Sequence, residues 1–406
     1  MYPTIYDAVK DIFGVEISFL KLLQSFGFFV AISFLLCAWA FAKELARKEK
    51  EGLLKPTFRK IMKGLAATKT ELSGQFFFGF VIGWKILSIP LSGGAFNADP
   101  RAYILSLEGN ILVGLATGAA FAYWRWKQTE KQRLKEPIEV EEKVGAADHV
   151  GNMTLIAAFF GFLGAKIFHI LENFGDFLDN PSDMLFSFSG LTMYGGLILG
   201  SAAVLYYARK QGFNIFHVMD ACAPGLFLAY GFGRFGCQVA GDGDWGIVNL
   251  KPKPGWLNWL PDWFWAYDYP NNVNHAYNPF TDPSSAEWSQ AELAHQLEMI
   301  THPDNPIHLM SPVYPTPLYE AIVNILFFAI LWSQRKKFVS PGAVFCVYLI
   351  FNGIERFCVE LIRVNTTLFK IGSYHVTQAE LIALCLVVIG VIGLIWTKKR
   401  AKRILV

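Results

Sequence analysis

Charged residues are scarce in this chain of 406 residues, where Asp, Glu, Lys and Arg together occupy 17% of positions and apolar types occupy 53%. An ordinary soluble domain carries about 25% charged residues. The net charge is only +3, and the sequence shows no uniform basic face that would suit nucleic acid. The composition therefore excludes an ordinary soluble domain and indicates a protein whose solvent is largely lipid.

Cysteine and histidine patterns typical of disulfide frameworks or zinc sites are also missing. The six cysteines include no Cys-x-x-Cys, and the eight histidines include no His-x-x-x-His. Five of the cysteines lie within apolar runs, and Cys237 lies at the edge of one. We therefore expect neither a structural metal site nor a metal or organic cofactor.

Long apolar runs dominate what is present. A helix needs about 20 apolar residues to cross the hydrocarbon of a bilayer, and about nine runs have that length. They begin near Ile17, Gln75, Ile104, Met153, Gly190, Phe216, Pro315, Pro341 and Val376. The first run ends like a signal cleavage site, but its basic residues follow it, which favours a retained helix. The pattern predicts an all-α, polytopic transmembrane helical bundle.

The basic residues are distributed unevenly between the connections. They concentrate in five segments that would share one side of the membrane: Lys43 to Lys69, Arg125 to Lys143, Arg209-Lys210, Arg335 to Lys337 and Lys398 to Arg403. Because basic loops stay in the cytoplasm, this pattern predicts an N-out, C-in topology. Gly241 to Pro312 is then a periplasmic head segment. Trp256, Trp259, Trp263 and Trp265 would anchor it at the membrane interface, although direct substrate contact is the alternative.

Two stretches of the sequence resemble each other. Phe78-Gly-Phe80 with Lys85 recurs about 81 residues later as Phe160-Gly-Phe162 with Lys166, and Ser106 to Gly109 recurs as Ser187 to Gly190. Each copy would form a two-helix hairpin. Duplication and chance similarity between glycine-rich apolar stretches both remain open.

Ionisable residues inside the predicted spans mark candidate functional positions. Placing a charge in a span costs about 2.5 to 3.5 kcal/mol on insertion scales, so such residues usually face the interior of the bundle. The candidates are Lys85, Lys166, His169, Arg234, Arg356, Glu360 and Arg363. They could form a substrate site or a merely structural charge cluster.

Three motifs collect most of these residues. Gly231 to Gly246 places Arg234 in a glycine-rich helix before a turn with Asp242 and Asp244. Arg356, Glu360 and Arg363 share one helical face by their i, i+4, i+7 spacing. The third motif is Met193-Tyr194-Gly195-Gly196, although small residues in a membrane helix often only serve packing. Arginine offers a planar fork of donors that matches phosphate oxygens.

The ordered motifs resemble the prolipoprotein diacylglyceryl transferase family. The family's Gly-Arg-x-Gly-Asn corresponds to Gly233 to Cys237, and its Arg-Phe-x-Val-Glu-x-x-Arg corresponds to Arg356 to Arg363. Its Tyr-Glu after a proline corresponds to Tyr319-Glu320, and Thr377 to Glu380 is a looser match. The chain departs from the family where Tyr194 replaces a His, Cys237 beside Gln238 replaces an Asn, and Phe26-Gly27 replaces Tyr-Gly.

The resemblance implies an enzyme of the bacterial inner membrane with its active site towards the periplasmic leaflet. Such an enzyme transfers the diacylglyceryl group of phosphatidylglycerol to the lipobox cysteine of a prolipoprotein and releases glycerol phosphate. Its implied catalytic residues are Arg234, Arg356, Glu360, Tyr194 and Asp242 or Asp244. Its implied substrate-binding residues are Arg234, Gln238, Gly246, Arg356, Arg363, Gly195, Gly196, Lys166 and His169.

The roles of these residues follow from the phosphate chemistry of the family. Arg234 and Arg356 would bind the phosphate, Glu360 and the loop acid would orient them, and Arg363 would be peripheral. Tyr194 is a poor base at neutral pH and could donate a proton instead. His169 is a possible base, although a lone His in a span is more often a packed residue. A thiol pKa lowered by the cations would need no dedicated base.

The resemblance also divides the chain. It implies a first helix in 1–54, a two-span insertion in 55–147, a transmembrane core in 148–240, the head in 241–312 and the C-terminal helices in 313–406. A transporter and a noncatalytic membrane scaffold are the rival interpretations. A transporter would be expected to show inverted repeats, whereas the repeat here is parallel.

Overall fold

The computed structural model describes residues 1–404 except 93–95, 97–102, 105, 187–191, 275–308, 310, 365–366 and 372–373. It is mostly helical, as the apolar runs predict. In chain order the helices are α1 (Ile5–Phe13), α2 (Ser25–Lys50), α3 (Lys69–Ile82), α4 (Ile111–Lys131), α5 (Val150–Glu172), α6 (Phe174–Asp179), α7 (Pro181–Phe186), α8 (Met193–Lys210), α9 (Ile215–Ala240), α10 (Thr316–Gln334), α11 (Ala343–Glu360) and α12 (Gln378–Ile404).

Five helical segments of the described chain are long and apolar enough to cross a membrane. They are Ser25–Lys50, Ala146–Glu172, Ile215–Ala240, Thr316–Lys337 and Gln378–Arg400. Helices also occupy the four other predicted runs, as α3, α4, α8 and α11. The predicted start near Gly190 lies outside the described residues.

In two of the predicted runs the helix begins well after the predicted start, whereas the run predicted near Gln75 is helical from Lys69. The first run was expected to begin near Ile17, but Ser18–Leu22 forms a 3-10 turn and α2 begins at Ser25. The run predicted to begin near Ile104 becomes helical at Ile111, because the Asn110 side chain accepts hydrogen bonds from the amides of Leu112 and Val113. Such a side-chain cap defines the first turn of a helix.

Two small sheets depart from the all-α expectation. Strands β1 (Thr57–Lys63) and β2 (Ile138–Val144) pair with each other, as do β3 (Thr367–Ile371) and β4 (Tyr374–Thr377). The β1–β2 pair carries exposed ion pairs, with 3.0 Å between Lys60 Nζ and Glu139 Oε1. Long apolar runs do not reveal such strands, because the strands lie in polar connections and alternate charged with apolar residues.

The described residues divide into two compact units. The first comprises Met1–Pro3, Ser25–Thr57 and Val144–Val406, and the second comprises Thr4–Gln24 and Phe58–Lys143. In the first unit, α9 is more buried than the other four candidate spans. Its glycines allow this burial, since a Cβ at Gly231 would lie 3.0 Å from the Ala321 carbonyl oxygen of α10.

Each unit contains a hairpin held together at glycines. In the first unit, a Cβ at Gly195 of α8 would lie 2.4 Å from the Gly164 carbonyl oxygen of α5. In the second unit, a Cβ at Gly83, in the π-helical turn after α3, would lie 2.7 Å from the Val113 carbonyl oxygen of α4. Gly83 and Gly164 share the spacing of the sequence repeat, so the packing agrees with duplication, which stays a prediction.

Candidate active site

The C-terminal half of α9 presents Arg234 beside the turn that follows the helix. The helix ends at Gly241, whose φ of +66° is the left-handed conformation that glycine adopts without strain. The Gly241 amide donates to the Cys237 carbonyl oxygen at 2.9 Å. This turn folds the following residues back, so that Asp244 forms an ion pair with Arg234.

The Arg234 side chain is almost fully buried and has partners on three sides. It forms ion pairs with Asp244 and with Glu320 of α10. Its Nη2 donates to the Tyr230 hydroxyl at 3.0 Å, and its guanidinium lies 5.0 Å from the centre of the Tyr230 ring. The cation-π contact and the two carboxylates fix the orientation of the guanidinium plane.

Glu320 connects all three arginines of the predicted motifs. It is completely buried, and its Oε1 lies 3.4 Å from Nη1 of Arg356 and 3.4 Å from Nη1 of Arg363. Its Oε2 pairs with Arg234 Nε. A buried carboxylate needs compensating positive charge, and here three guanidinium groups supply it: one from α9, one from α11 and one from the segment that follows α11.

Two further carboxylates complete the cluster. Glu360 Oε2 lies 3.0 Å from Arg356 Nη2, one helical turn away on α11. Arg363 was expected to be peripheral, but it pairs with both Asp244 and Glu320. Asp244, Glu320 and Glu360 therefore balance three arginines, and an incoming anion must compete with them. Arg356 has the most exposed side chain of the three, at 20%, and is the most accessible to such an anion.

The two loop acids occupy different environments. Asp244 bridges Arg234 and Arg363. Burial alone would raise the pKa of Asp244, but the two guanidinium groups outweigh it and hold the pKa below its ordinary value. Burial, with the nearby negative charge of Asp244, raises the pKa of Asp242. Asp244 is thus the acid that shares the arginine cluster.

Backbone contacts at Gly246 hold the acidic turn against the end of α11. Gly246 pairs with Arg363 in an antiparallel bridge, and its amide donates to the Tyr314 carbonyl oxygen at 2.9 Å. A Cβ at Gly246 would lie 2.4 Å from the Ile362 carbonyl oxygen. The approach of the two chains therefore requires glycine here, which gives Gly246 a positioning contact besides the substrate contact predicted for it.

Gln238 is buried and engages the head segment. Its Oε1 accepts a hydrogen bond from the Tyr269 hydroxyl at 2.7 Å. Tyr269 packs against Trp245, with ring centroids 5.2 Å apart. The contact attaches the end of α9 to the packed aromatic residues of the head segment.

The other predicted site residues lie on the α5/α8 hairpin. Gly195 and Gly196 pack against the backbone of α5. Tyr194 is half-buried in the first turn of α8, and Lys166 is buried in α5. His169 Nδ1 lies 3.2 Å from Asn173 Nδ2. The structure thus groups these five residues on one hairpin, whereas Arg234 lies on α9, Arg356 lies on α11 and Arg363 follows α11.

The sequence around this arginine cluster matches a known protein family. A model of the prolipoprotein diacylglyceryl transferase family matches residues 110–396, which include the cluster and both hairpins' second helices. The chain belongs to this family. The matched range begins within the predicted 55–147 insertion. Membership does not favour a transporter or a scaffold.

Several curated members of the family are similar over most of their length. The phosphatidylglycerol–prolipoprotein diacylglyceryl transferase of Clostridium tetani is 28% identical over 245 residues, which cover 60% of this chain and 79% of that protein. The protein of the same name from Corynebacterium diphtheriae is 25% identical over 295 residues, covering 71% and 86%. That of Enterococcus faecalis is 26% identical over 270 residues, covering 65% and 78%.

Within the family pattern, Cys237 stands where the motif has an Asn. Its Sγ lies 3.7 Å from Arg234 Nη1, and its thiol donates to Asp244 at 3.6 Å. A thiol can therefore occupy this position beside the arginine. Cys237, Asp242 and Asp244 could also present ligand atoms within 4.8 Å of one another to a cation. Because Arg234 already pairs with Asp244, we assign no metal to them.

Two residues that contact the arginine cluster have no role predicted from the sequence. Glu320 was noticed only as part of a motif, although a carboxylate in an apolar run is itself a signal. Tyr230, four residues before Arg234, gave no signal because a tyrosine in an aromatic-rich helix is common. The family membership and the apolar helices together indicate a multi-pass membrane protein.

Proposed function

We propose that this chain transfers the diacylglyceryl group of phosphatidylglycerol to the lipobox cysteine of a secreted prolipoprotein. The cysteine sulfur bonds to the glyceryl carbon, the bond between that carbon and the phosphate oxygen breaks, and glycerol phosphate leaves. The observation that carries the proposal is the buried convergence of Arg234, Arg356 and Arg363 on Glu320 in a chain of this family.

Arg356 and Arg234 stabilise the phosphate as negative charge develops on the departing oxygen. Glu360 holds Arg356, and Asp244 holds Arg234 and Arg363, so that the guanidinium groups are oriented before the lipid binds. Preoriented donors need no rearrangement during the reaction. Arg363 then contributes positive charge from within the cluster.

The thiol proton goes to water or to the leaving phosphate. Guanidinium groups lower the pKa of a nearby thiol because they stabilise the thiolate. Tyr194 donates a hydrogen bond to the lipid, and Lys166, His169, Gly195, Gly196, Gln238 and Gly246 line its path. These assignments follow the family resemblance.

The chain crosses the bacterial inner membrane nine times with its N-terminus outside. Helices in all nine predicted runs and the one-sided distribution of Lys and Arg support this topology. The acidic turn after α9 then faces the periplasmic leaflet, from which phosphatidylglycerol and the membrane-anchored precursor both arrive. The bilayer is the reservoir for both substrates.

Transfer of radiolabelled diacylglyceryl from phosphatidylglycerol to a lipobox peptide by the purified protein tests the proposal. We expect thiol-dependent transfer by the wild-type protein, and its loss in Arg234→Ala and Arg356→Ala. A peptide with serine in place of cysteine is the control for thiol dependence. A well-folded wild-type sample that transfers nothing would exclude the enzyme function.

A further inference from the structure

The head segment displays large apolar side chains on a loop of residues 250–265. Leu250 is 74% exposed, Trp256 is 75% exposed and Trp259 is 78% exposed. Soluble surfaces seldom present several large apolar side chains so close together in the sequence without a partner. These exposed side chains would be more stable in an apolar or partly apolar environment than in water.

Polar contacts inside the loop fix its conformation. Lys253 Nζ donates to the Leu260 carbonyl oxygen at 2.8 Å and pairs with Asp262 at 2.5 Å. Trp265 Nε1 donates to the Lys251 carbonyl oxygen at 2.8 Å. Asn249 Nδ2 donates to the Trp265 carbonyl oxygen at 2.7 Å. The hydrogen bonds and the ion pair therefore give the loop a defined conformation in which the indoles are exposed.

The loop is attached to the first turn of a candidate membrane span. Tyr319 lies near the start of α10, and its hydroxyl donates to the Phe264 carbonyl oxygen at 2.6 Å. The rings of Phe264 and Tyr319 lie 5.4 Å apart. Because α10 starts at Thr316, this contact places one end of the loop at the depth where the span leaves the hydrocarbon.

The contact also links the loop to the arginine cluster. Glu320, which pairs with all three arginines, follows Tyr319 directly in the chain. The loop and the cluster therefore share the first turn of α10. A loop seated in the membrane here would hold the mouth of the site at the level of the lipid headgroups.

We propose that residues 250–265 form an aromatic anchor whose Trp256 and Trp259 insert into the boundary between headgroups and acyl chains. An indole combines a large apolar surface with one N–H donor, which suits this boundary better than either water or hydrocarbon. Lys251, in the same loop, is exposed and can reach lipid phosphates. The occupant is the bilayer itself, and the signal segment of a precursor is the competing occupant.

Fluorine NMR of the full-length protein labelled with 5-fluorotryptophan, in nanodiscs of phosphatidylcholine and phosphatidylglycerol, tests the anchor. Trp256→Phe and Trp259→Phe assign the two signals, and Trp245, which is buried, is the internal control. We expect a lipid with a nitroxide near its headgroup to broaden both signals more than a water-soluble gadolinium chelate does. Broadening by the chelate alone overturns the proposal, as does a response confined to added lipobox peptide.

An activity measurement extends the test and rests on the proposed transferase function. The double variant Trp256→Ser, Trp259→Ser loses apolar membrane contact, so we expect kcat/KM for bilayer phosphatidylglycerol to fall about tenfold. Activity on a dispersed short-chain phosphatidylglycerol should be retained. Equal losses on both lipids contradict the anchor. A wild-type protein inactive on both lipids contradicts the transferase function and leaves the NMR result standing.

Discussion

Glu320 has no exposed surface, and its two carboxylate oxygens approach the guanidinium groups of Arg234, Arg356 and Arg363. Burying one carboxylate among three arginines is favourable only while every charge has a partner, because desolvation of each ion costs several kcal/mol. The position of each arginine therefore depends on this one side chain. Glu320 acts on the substrate through the arginines and is a positioning residue.

Replacing Glu320 with Gln should disrupt the whole cluster. Removing one partner of a buried ion pair costs about 3 to 5 kcal/mol, and displaced arginines should lower transfer activity about 100-fold. Thermal unfolding in detergent and the peptide transfer assay measure the two effects. Glu355→Gln is the matched control, since Glu355 is buried on α11 and accepts from Asn324 Nδ2 at 3.2 Å. Equal activity in the two variants would contradict a central role for Glu320.

The two loop acids should respond in opposite ways to neutralisation. The pKa of Asp242 is raised, so its ionised form costs stability above that pKa, and the cost is lost as the pH falls through the raised pKa to the ordinary one. Asp242→Asn should therefore raise the unfolding temperature at neutral pH. The pKa of Asp244 is lowered, so its charge stabilises the fold until the pH falls to that low pKa. Asp244→Asn should lower the unfolding temperature.

Thermal unfolding of both variants at about pH 5 and about pH 8 checks these signs. The benefit of Asp242→Asn should be larger at the higher pH. Transfer activity should survive in Asp242→Asn and fall in Asp244→Asn, because Asp244 holds Arg234 and Arg363. The reverse order of activities would make Asp242 the functional acid.

The sequence could place the arginines but could not distinguish these acids. Helical spacing puts Arg356 and Glu360 side by side, and the structure has them 3.0 Å apart. Which of Asp242 and Asp244 faces Arg234 depends on the left-handed turn at Gly241 and on pairing at Gly246. Those are contacts between segments far apart in sequence, which local patterns do not contain.

At the scale of elements, apolar runs located the helices better than they located the helix ends. Length and apolar content identified the segment of α9, but the start of α2 moved from Ile17 to Ser25. Residues Thr4 to Gln24 lie before this helix, and an antiparallel bridge pairs the two ends of the segment, Thr4 and Gln24. Hydropathy alone cannot separate a span from an adjoining apolar turn, because both are rich in the same residues.

The junction between the acidic turn and the end of α11 is the element contact most sensitive to substitution. Gly246→Ala places a methyl group 2.4 Å from the Ile362 carbonyl oxygen, so the turn carrying Asp244 must move away from Arg363. We expect a loss of about 1 to 3 kcal/mol in stability, with reduced transfer activity. Gly151→Ala is the control, because a Cβ there has nothing within 4 Å. Unchanged activity in Gly246→Ala would show that the junction is dispensable.

At the scale of the whole molecule, residues 58–143 make up most of the predicted 55–147 insertion. They form a compact unit with Thr4–Gln24, in which the rings of Phe19 and Phe96 lie 6.4 Å apart. The chain ends that border this stretch meet in the first unit, where Thr57 Oγ1 donates to the Val144 carbonyl oxygen at 3.3 Å. A long insertion is tolerated when its two ends lie close together.

Replacing residues 58–143 with a linker of about four Gly and Ser residues should preserve transfer activity. The deletion removes two of the proposed spans, so every later helix keeps its orientation and the arginine cluster keeps its contacts. Removing Lys69 to Leu87 alone is the control, since loss of one span should invert the following helices and abolish activity. Phe19 should become more accessible to protease in the larger deletion. A larger deletion that folds but is inactive would instead show that the deleted helices are needed for transfer. That outcome would agree with the family match, which begins at residue 110 and so includes α4.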